Sequence, residues 1–246
     1  MRVFFTDRSN VTGDTIILDG DNEHHIKNVL RLKPGTRINV KTGGSVAYSC
    51  RIREFSDAGV ICDIETAEES DTELPVSVCI YQGLPKGDKP ETVIQKCTEL
   101  GAVRIVPVIT ERTVVKLDEK KAKSKCERWN KIAVNASEQS RRSVVCEVGM
   151  PVTFTEAVAE AGEFDHFILP FECAEGFDKT REVFTGIKKG ESVALFIGPE
   201  GGFSDEEVSL AEENGAVVIT LGKRILRTET AAMYVLSVLG YLFEPM

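Results

Sequence analysis

Two glycine-bearing segments in the last fifty residues carry the clearest chemical signal in this chain. Gly198–Gly202, GPEGG, follows the apolar run Val193–Ile197 and precedes a helical pattern. A strand end, a glycine turn and a helix start form the usual crevice for a ligand in an α/β sheet. Glycine alone does not separate that reading from a plain tight turn, which is the commoner use. The second segment is Leu221–Ala231, LGKRILRTETA, where an apolar strand ends and polar residues lead into a helix at Thr228. Thr228 suits a helix cap and Glu229 the helix dipole. Neither requirement explains Lys223, Arg224 and Arg227 beside Ile225-Leu226. A third strand end breaks into a loop at Leu169-Pro170-Phe171-Glu172. Parallel strands ending in three irregular loops would converge on one sheet edge, the default place for a pocket.

Other chemistries find little support. The first strand of this region leads into Gly83-Leu84-Pro85-Lys86-Gly87-Asp88, which is neither a Gly-x-Gly-x-x-Gly fingerprint nor a P-loop. His24, His25 and His166 do not sit in nucleophile contexts. The seven cysteines include no Cys-x-x-Cys pair, so no metal site is expected. Their scatter suits free thiols in a reducing cytosol. The sequence MRVFFTDRSN lacks a signal-peptide stretch, and Ala231–Phe243 is too short to span a bilayer. These features predict a soluble cytoplasmic protein without a membrane contact.

The elements that must position the loops follow from periodicity. Residues 1 to about 70 read as a compact β-barrel, with strands at Thr15–Leu18, Arg37–Lys41, Val46–Arg53 and Gly59–Ile64. Asp21–Leu32 interrupts them as a helix, and the acidic stretch Glu65–Glu73 reads as a linker. From Leu74 onward strands alternate with helices. Strands are predicted at Val76–Gln82, Val103–Ile109, His166–Leu169, Ser192–Ile197 and Val217–Leu221. Helices are predicted at Pro90–Leu100, Lys120–Ser140, Ser204–Asn214 and Thr228–Phe243. Ser204 and Glu207 have capping-box spacing. Near-continuous apolar strands imply a parallel sheet covered on both faces.

Charge adds a second signal. The 246 residues carry a net charge of −9, which argues against nucleic acid as a partner. A local basic stripe can survive such a sum. From His24 to Arg53 there is no acidic residue, while Lys27, Arg31, Lys33, Arg37, Lys41, Arg51 and Arg53 all fall there. Such a stripe can follow a phosphate backbone, or be a solvated face balanced by the acidic stretch. Arg141-Arg142 ends the long helix, as dipole partners or as phosphate contacts.

The chain as a whole resembles the RsmE family of the SPOUT superfamily, 16S ribosomal RNA uridine N3-methyltransferases. The likeness rests on HHIKNVLRLKPG (His24–Gly35), LPKGDKPETVIQKCTELGAVRIVPV (Leu84–Val108), NASEQSRR (Asn135–Arg142), LPFE, IGPEGGFSDEE (Ile197–Glu207) and LGKRILRTETA. It implies a PUA-like RNA-binding β-barrel over 1–70. Over 74–246 it implies a SPOUT methyltransferase domain, with a deep trefoil knot around the parallel sheet. The implied cofactor is S-adenosylmethionine, the substrate 16S ribosomal RNA of the small ribosomal subunit, and the assembly a homodimer. The family's cofactor loops map onto Leu169, Pro170 and Glu172, onto Ile197, Gly198, Glu200 and Gly201, and onto Leu221, Gly222, Ile225, Leu226 and Arg227. Methylation at N3 needs a base, for which Glu138 is the candidate, and a cation for the uracil anion, for which Arg227 or Arg141 serves. His25, Arg31, Lys33, Lys86, Lys89 and Arg142 are the candidate RNA contacts. A knotted methyltransferase acting on a ribose 2′-hydroxyl or on transfer RNA, or a non-catalytic RNA-binding assembly factor, would share parts of this pattern.

Overall fold

The computed structural model describes residues 2–115, 118–174 and 176–244. The chain divides into two compact units, Met1–Glu73 with Ser137–Val145, and Leu74–Ala136 with Cys146–Met246.

In the first unit, strands β1 (Val3–Phe5), β2 (Val11–Thr12), β3 (Thr15–Leu18), β4 (Arg37–Lys41), β5 (Val46–Ser56) and β6 (Gly59–Glu69) form one curled sheet in the order β1-β4-β5-β6-β3-β2. Alternate residues point inward, so Ile16, Leu18, Ile38, Val40, Cys50, Ile52, Val60 and Cys62 share one core. The helix predicted over Asp21–Leu32 is shorter. It comprises α1 (Gly20–His24) and a widened π turn over His25–Val29, which seats Ile26 in that core. The linker predicted at Glu65–Glu73 is not a linker over its first half. Thr66–Glu69 pair with Val46–Ser49 in the β5–β6 hairpin, and the Ser70 amide donates to the Ser45 carbonyl at 2.6 Å. Backbone pairing needs no apolar side chain on an exposed strip, so a run with Ala67 as its one apolar residue hid a strand end.

A buried polar node ties Ser137–Val145 into this unit. Lys41 Nζ donates to the Arg141 carbonyl at 2.6 Å and to Ser143 Oγ at 3.2 Å. Arg142 is 2% exposed and pairs with Glu73 at 2.5 Å, while Glu73's other oxygen accepts from the Ser143 amide at 2.6 Å. This corrects the reading of Arg142 as a phosphate contact. Its buried guanidinium is paired with a half-buried carboxylate, because a buried charge without a partner is costly.

In the second unit the strands are β7 (Ser77–Gly83), β8 (Arg104–Ile109), β9 (Glu147–Val148), β10 (Val152–Thr153), β11 (His166–Pro170), β12 (Ser192–Ile197) and β13 (Val217–Ile219). They form a parallel sheet in the order β10-β8-β7-β12-β11-β13, with β9 beside β8. The helices are α2 (Lys89–Glu99), α3 (Glu119–Gln139), α4 (Phe154–Ala161), α5 (Phe177–Gly186), α6 (Asp205–Glu213) and α7 (Thr228–Phe243). Successive strand residues feed opposite faces. Val193, Leu195 and Ile197 meet a core closed by Val93, Ile94, Trp129, Val235, Leu236 and Leu239, from α2, α3 and α7. Ala194 and Phe196 meet Ala157, Val158, Val208 and Ala211, from α4 and α6. This two-sided burial is the physical reason the strands read as unbroken apolar runs. The α6 capping box forms as its spacing predicts, with Ser204 Oγ accepting from the Glu207 amide and Glu207 accepting from the Ser204 amide. Helices α4 and α5 were not predicted.

Chain order puts β8 on one side of β7 and the much later β12 on the other. Such a reversal leaves a crevice beyond the carboxyl ends of the strands.

Candidate functional site

The crevice is a cavity of about 970 Å³, walled by the loops after β11, β12 and β13, the start of α5 and the first turns of α7. The three loops that the sequence singled out therefore do converge. Pro170 and Glu172 line it from the first; Ile197, Gly198 and Glu200 from the second; Leu221, Gly222, Ile225, Leu226 and Arg227 from the third. Leu169 and Gly201 do not line it. Leu169 points to the opposite face of the sheet, into the α4–α6 core, because its neighbour Ile168 takes the other face. Gly201 turns its carbonyl outward to the Arg112 guanidinium, 2.8 Å away.

Beneath the pocket the structure supplies a clamp that the sequence did not reveal. Gln82, 3% exposed at the end of β7, donates from Nε2 to Thr228 Oγ1 at 2.7 Å. The Thr228 hydroxyl donates in turn to the Gly198 carbonyl at 2.6 Å. One chain of hydrogen bonds thus joins the end of β7, the glycine turn after β12 and the start of α7. The expected cap is corrected accordingly: Arg227 occupies the cap position, and Thr228 is the first helical residue with its side chain turned inward. Gly83 makes the approach feasible, since a Cβ there would lie 2.5 Å from Pro199 Cδ. The available signal was Gln82 itself, one amide at the end of the apolar run Val78–Tyr81.

At the rim, Lys89 Nζ pairs with Glu200 at 2.8 Å, and the Lys86 amide donates to the same carboxylate at 3.2 Å. Burial opposes ionisation of Glu200, but these donors outweigh it and hold its carboxyl below the usual range. Lys89, read from the sequence as an RNA contact, is thus part of the pocket wall. Glu172, in the loop after β11, is an exposed carboxylate that also lines the cavity, with no ion pair among the described residues. Gly222 adopts φ +110°, with the Phe177 ring 3.9 Å from where a Cβ would stand. Phe177 and Gly176 were missed because α5 was missed. Among the described residues no cluster of histidine, cysteine or carboxylate side chains is placed to hold a metal ion. No helix among them is long and apolar enough to cross a membrane.

The remaining predicted residues lie in the first unit. Burial pushes the half-buried Glu138 carboxyl up to about 7. Arg141 is exposed, with φ +60°. His25 is half-buried with its ring edge-on to Phe4. The basic stripe sorts itself by pairing. Arg37 and Arg51 share Glu65, Arg53 pairs with Asp63, Lys27 pairs with Glu23, and Lys41 is buried. Arg31 and Lys33 are exposed and have no ion pair among the described residues.

Residues 72–240 match the family model described as an RNA methyltransferase domain, and residues 18–65 that described as an RNA methyltransferase PUA domain. The chain is 40% identical to ribosomal RNA small subunit methyltransferase E of Bacillus subtilis over 94% of its own length and 91% of the relative's. A solved structure of the Neisseria gonorrhoeae protein of that name, bound to S-adenosylmethionine, superposes with a TM-score of 0.84. It is 29% identical and covers 99% of this chain and 98% of that one. A Legionella pneumophila chain solved with bound S-adenosylmethionine superposes with a TM-score of 0.85, at 32% identity over 98% and 97% of the two chains.

Thr228→Val keeps the volume but leaves the Gln82 amide and the Gly198 carbonyl without their shared partner. Urea unfolding is expected to report a loss of about 1–3 kcal/mol. A loss within measurement error would mean that the clamp holds nothing.

Proposed function

The chain belongs to the RNA methyltransferase family that includes ribosomal RNA small subunit methyltransferase E; it is an S-adenosylmethionine-dependent ribosomal RNA methyltransferase, and we propose that its target is N3 of one uridine in 16S ribosomal RNA. The observation that carries the reading is the single pocket assembled from all three loops. Its residues fit the cofactor chemically. Ile197 and Leu226 offer an apolar surface for a purine, and Glu172 a carboxylate for a cationic group. A volume of about 970 Å³ lies at the upper end for small-molecule sites. The fold is proposed to be a SPOUT domain over 74–246 with a deep trefoil knot, beside a PUA-like RNA-binding barrel over 1–70. The spatial order β12-β11-β13 supports the knot. Ile225 and Tyr241, 85% and 86% exposed, support a homodimer, since large apolar side chains left in water mark contact surfaces. The proposed location is the cytoplasm, where the small ribosomal subunit is assembled.

When bound, S-adenosylmethionine supplies a methyl group already activated on its sulfonium. The chain's own task is to hold uracil N3 in line with that group, and positioning alone supplies much of the acceleration. The N3–H is a weak acid, so a base must take its proton. Glu138 is the proposed base, and a carboxyl lifted to about 7 suits work near neutral pH. Arg227 or Arg141 is the proposed stabiliser of the uracil anion. Arg31, Lys33 and His25 in the first unit, with Lys86 in the second, are the proposed RNA contacts. Lys89 joins them where RNA competes with Glu200 for its ammonium.

The direct test is to map methylated nucleotides in 16S ribosomal RNA from cells lacking this protein. One missing N3-methyluridine is expected, restored by the purified enzyme with S-adenosylmethionine; a missing 2′-O-methyl would point to ribose chemistry instead. If Glu138 is the base, it must be ionised to work. Turnover then falls about tenfold per unit below pH 7 and levels off above it. Glu138→Gln is expected to lower kcat roughly 100-fold, to remove that limb and to leave RNA affinity unchanged; a retained limb would assign the ionisation elsewhere. Replacing Arg31 and Lys33 together by Ala is expected to weaken RNA binding and to flatten the slope of log K against log salt by roughly 1.5. An unchanged slope would remove both from the phosphate path.

A further inference from the structure

The loop after β8 grips the outer side of the glycine turn. Residues 110–113 form a tight turn of their own, in which the Thr113 amide donates to the Thr110 carbonyl and the Thr110 amide to Thr113 Oγ1, both at 3.0 Å. The two residues at its tip both reach the segment after β12. The Glu111 amide donates to Glu207 Oε1 at 2.8 Å, while Glu207 Oε2 accepts from the Ser204 amide at the start of α6. The Arg112 guanidinium donates to the Gly201 carbonyl at 2.8 Å. Its stem lies flat on the same glycine, so a Cβ at position 201 would be 3.2 Å from Arg112 Cβ and 3.5 Å from Cδ. Gly201 is therefore the one residue of GPEGG whose role faces away from the cavity; Gly198, Pro199, Glu200 and Gly202 all line it.

The turn has few other restraints. Within it, the Gly202 amide donates to the Pro199 carbonyl at 2.9 Å. On the cavity side, Thr228 holds Gly198 and Lys89 holds Glu200. Three glycines in five residues give the free loop a large conformational entropy. A ligand that packs on such a loop binds more tightly when the loop is ordered beforehand. An arginine is suited to this, because its planar fork loses little freedom when one arm is engaged.

We propose that Arg112 is a positioning residue for the cofactor loop: by holding the Gly201 carbonyl outward it keeps the GPEGG turn in its binding form and so sets the affinity for S-adenosylmethionine. This rests on the cofactor reading of the pocket given above. Arg112 does not line the cavity and acts only through the turn. The effect therefore falls on cofactor binding and not on the chemical step.

The test compares the wild-type enzyme with Arg112→Ala and Arg112→Lys. Calorimetry with S-adenosylmethionine is run on each, and steady-state kinetics with 16S ribosomal RNA follow at varied cofactor and varied RNA. Arg112→Ala is expected to raise both the Kd and the KM for S-adenosylmethionine about tenfold, the lower range for a hydrogen bond from a charged donor. Its kcat at saturating cofactor and its KM for RNA stay at wild-type values. Arg112→Lys, which keeps a charged donor of similar reach, recovers most of the affinity and controls for folding. Wild-type cofactor affinity in Arg112→Ala overturns the proposal. So does a defect confined to kcat or to the KM for RNA, which would make Arg112 a substrate contact. A wild-type enzyme that itself binds no S-adenosylmethionine overturns the cofactor reading, and this proposal with it.

Discussion

A directional chain of hydrogen bonds, Gln82 amide to Thr228 hydroxyl to Gly198 carbonyl, is the constraint on which the second unit's site depends. Its three members come from positions 82, 198 and 228, and no local propensity brings such distant residues together. Each link alone is worth about 1 kcal/mol. A hydroxyl that accepts from one neighbour and donates to the next polarises both bonds in a low-dielectric interior. The chain fixes orientation as well as distance, because only one arrangement of donor and acceptor satisfies the middle hydroxyl. It has a cost. Gln82 Oε1 finds no partner among the described residues, so the side chain gives up one acceptor to aim its amide at Thr228. The clamp lies under the pocket and Arg112 lies outside the turn. The glycine turn is thereby held from two sides, while its glycines keep the cavity open.

Electrostatics in this protein is a matter of which charges remain unpaired. The net charge of −9 points away from nucleic acid. Two carboxylates on β6, Glu65 and Asp63, take up Arg37, Arg51 and Arg53, so part of the basic stripe is paired within its own sheet. Arg31 and Lys33 sit past the π turn and form no ion pair among the described residues. The acidic excess is thus partly the counter-charge of the stripe, and the whole-chain sum says little about the surface an RNA would meet.

How much was legible in the sequence follows the same division between local and distant causes. Strands β7, β8, β11 and β12 were readable because burial on both faces leaves an unbroken apolar run, and α6 because its cap is written in four consecutive residues. Helix α4 carried a comparable signal in Thr153 and Glu156, whose capping box forms, and it could have been found. Helix α5 was harder to read: its stripe is thin, with Val183 and Phe184 the apolar residues it packs on the core and a threonine, Thr180, sharing the buried face. The three loops were legible as loops, but the facing of each residue within them was not. Leu169 follows the strand alternation into the far core. Gly201 is turned by Arg112, 89 residues earlier in the chain, and Thr228 is drawn inward by Gln82. Each failure has a long-range hydrogen bond or a sheet face as its cause, which a pattern read along the chain does not contain.

The first unit solves a related problem with charge. Residues 137–145 lie far in sequence from the barrel strands, and Lys41, Arg142 and Glu73 hold them there through buried polar contacts. An apolar contact would tolerate sliding, whereas a buried guanidinium that loses its carboxylate is strongly penalised, so the register of this segment is sharply specified. Burial pulls the Lys41 ammonium below its usual value while the Glu73 carboxylate opposes that pull, which keeps a donor available for the Arg141 carbonyl. That carbonyl belongs to a residue with φ +60°, a conformation that costs energy for a side chain larger than glycine and persists only where its surroundings enforce it. The enforced turn follows directly on the last turn of α3, where burial lifts the Glu138 carboxyl. The contacts that specify the path of this segment therefore begin within a few residues of a carboxyl that burial brings close to neutral pH.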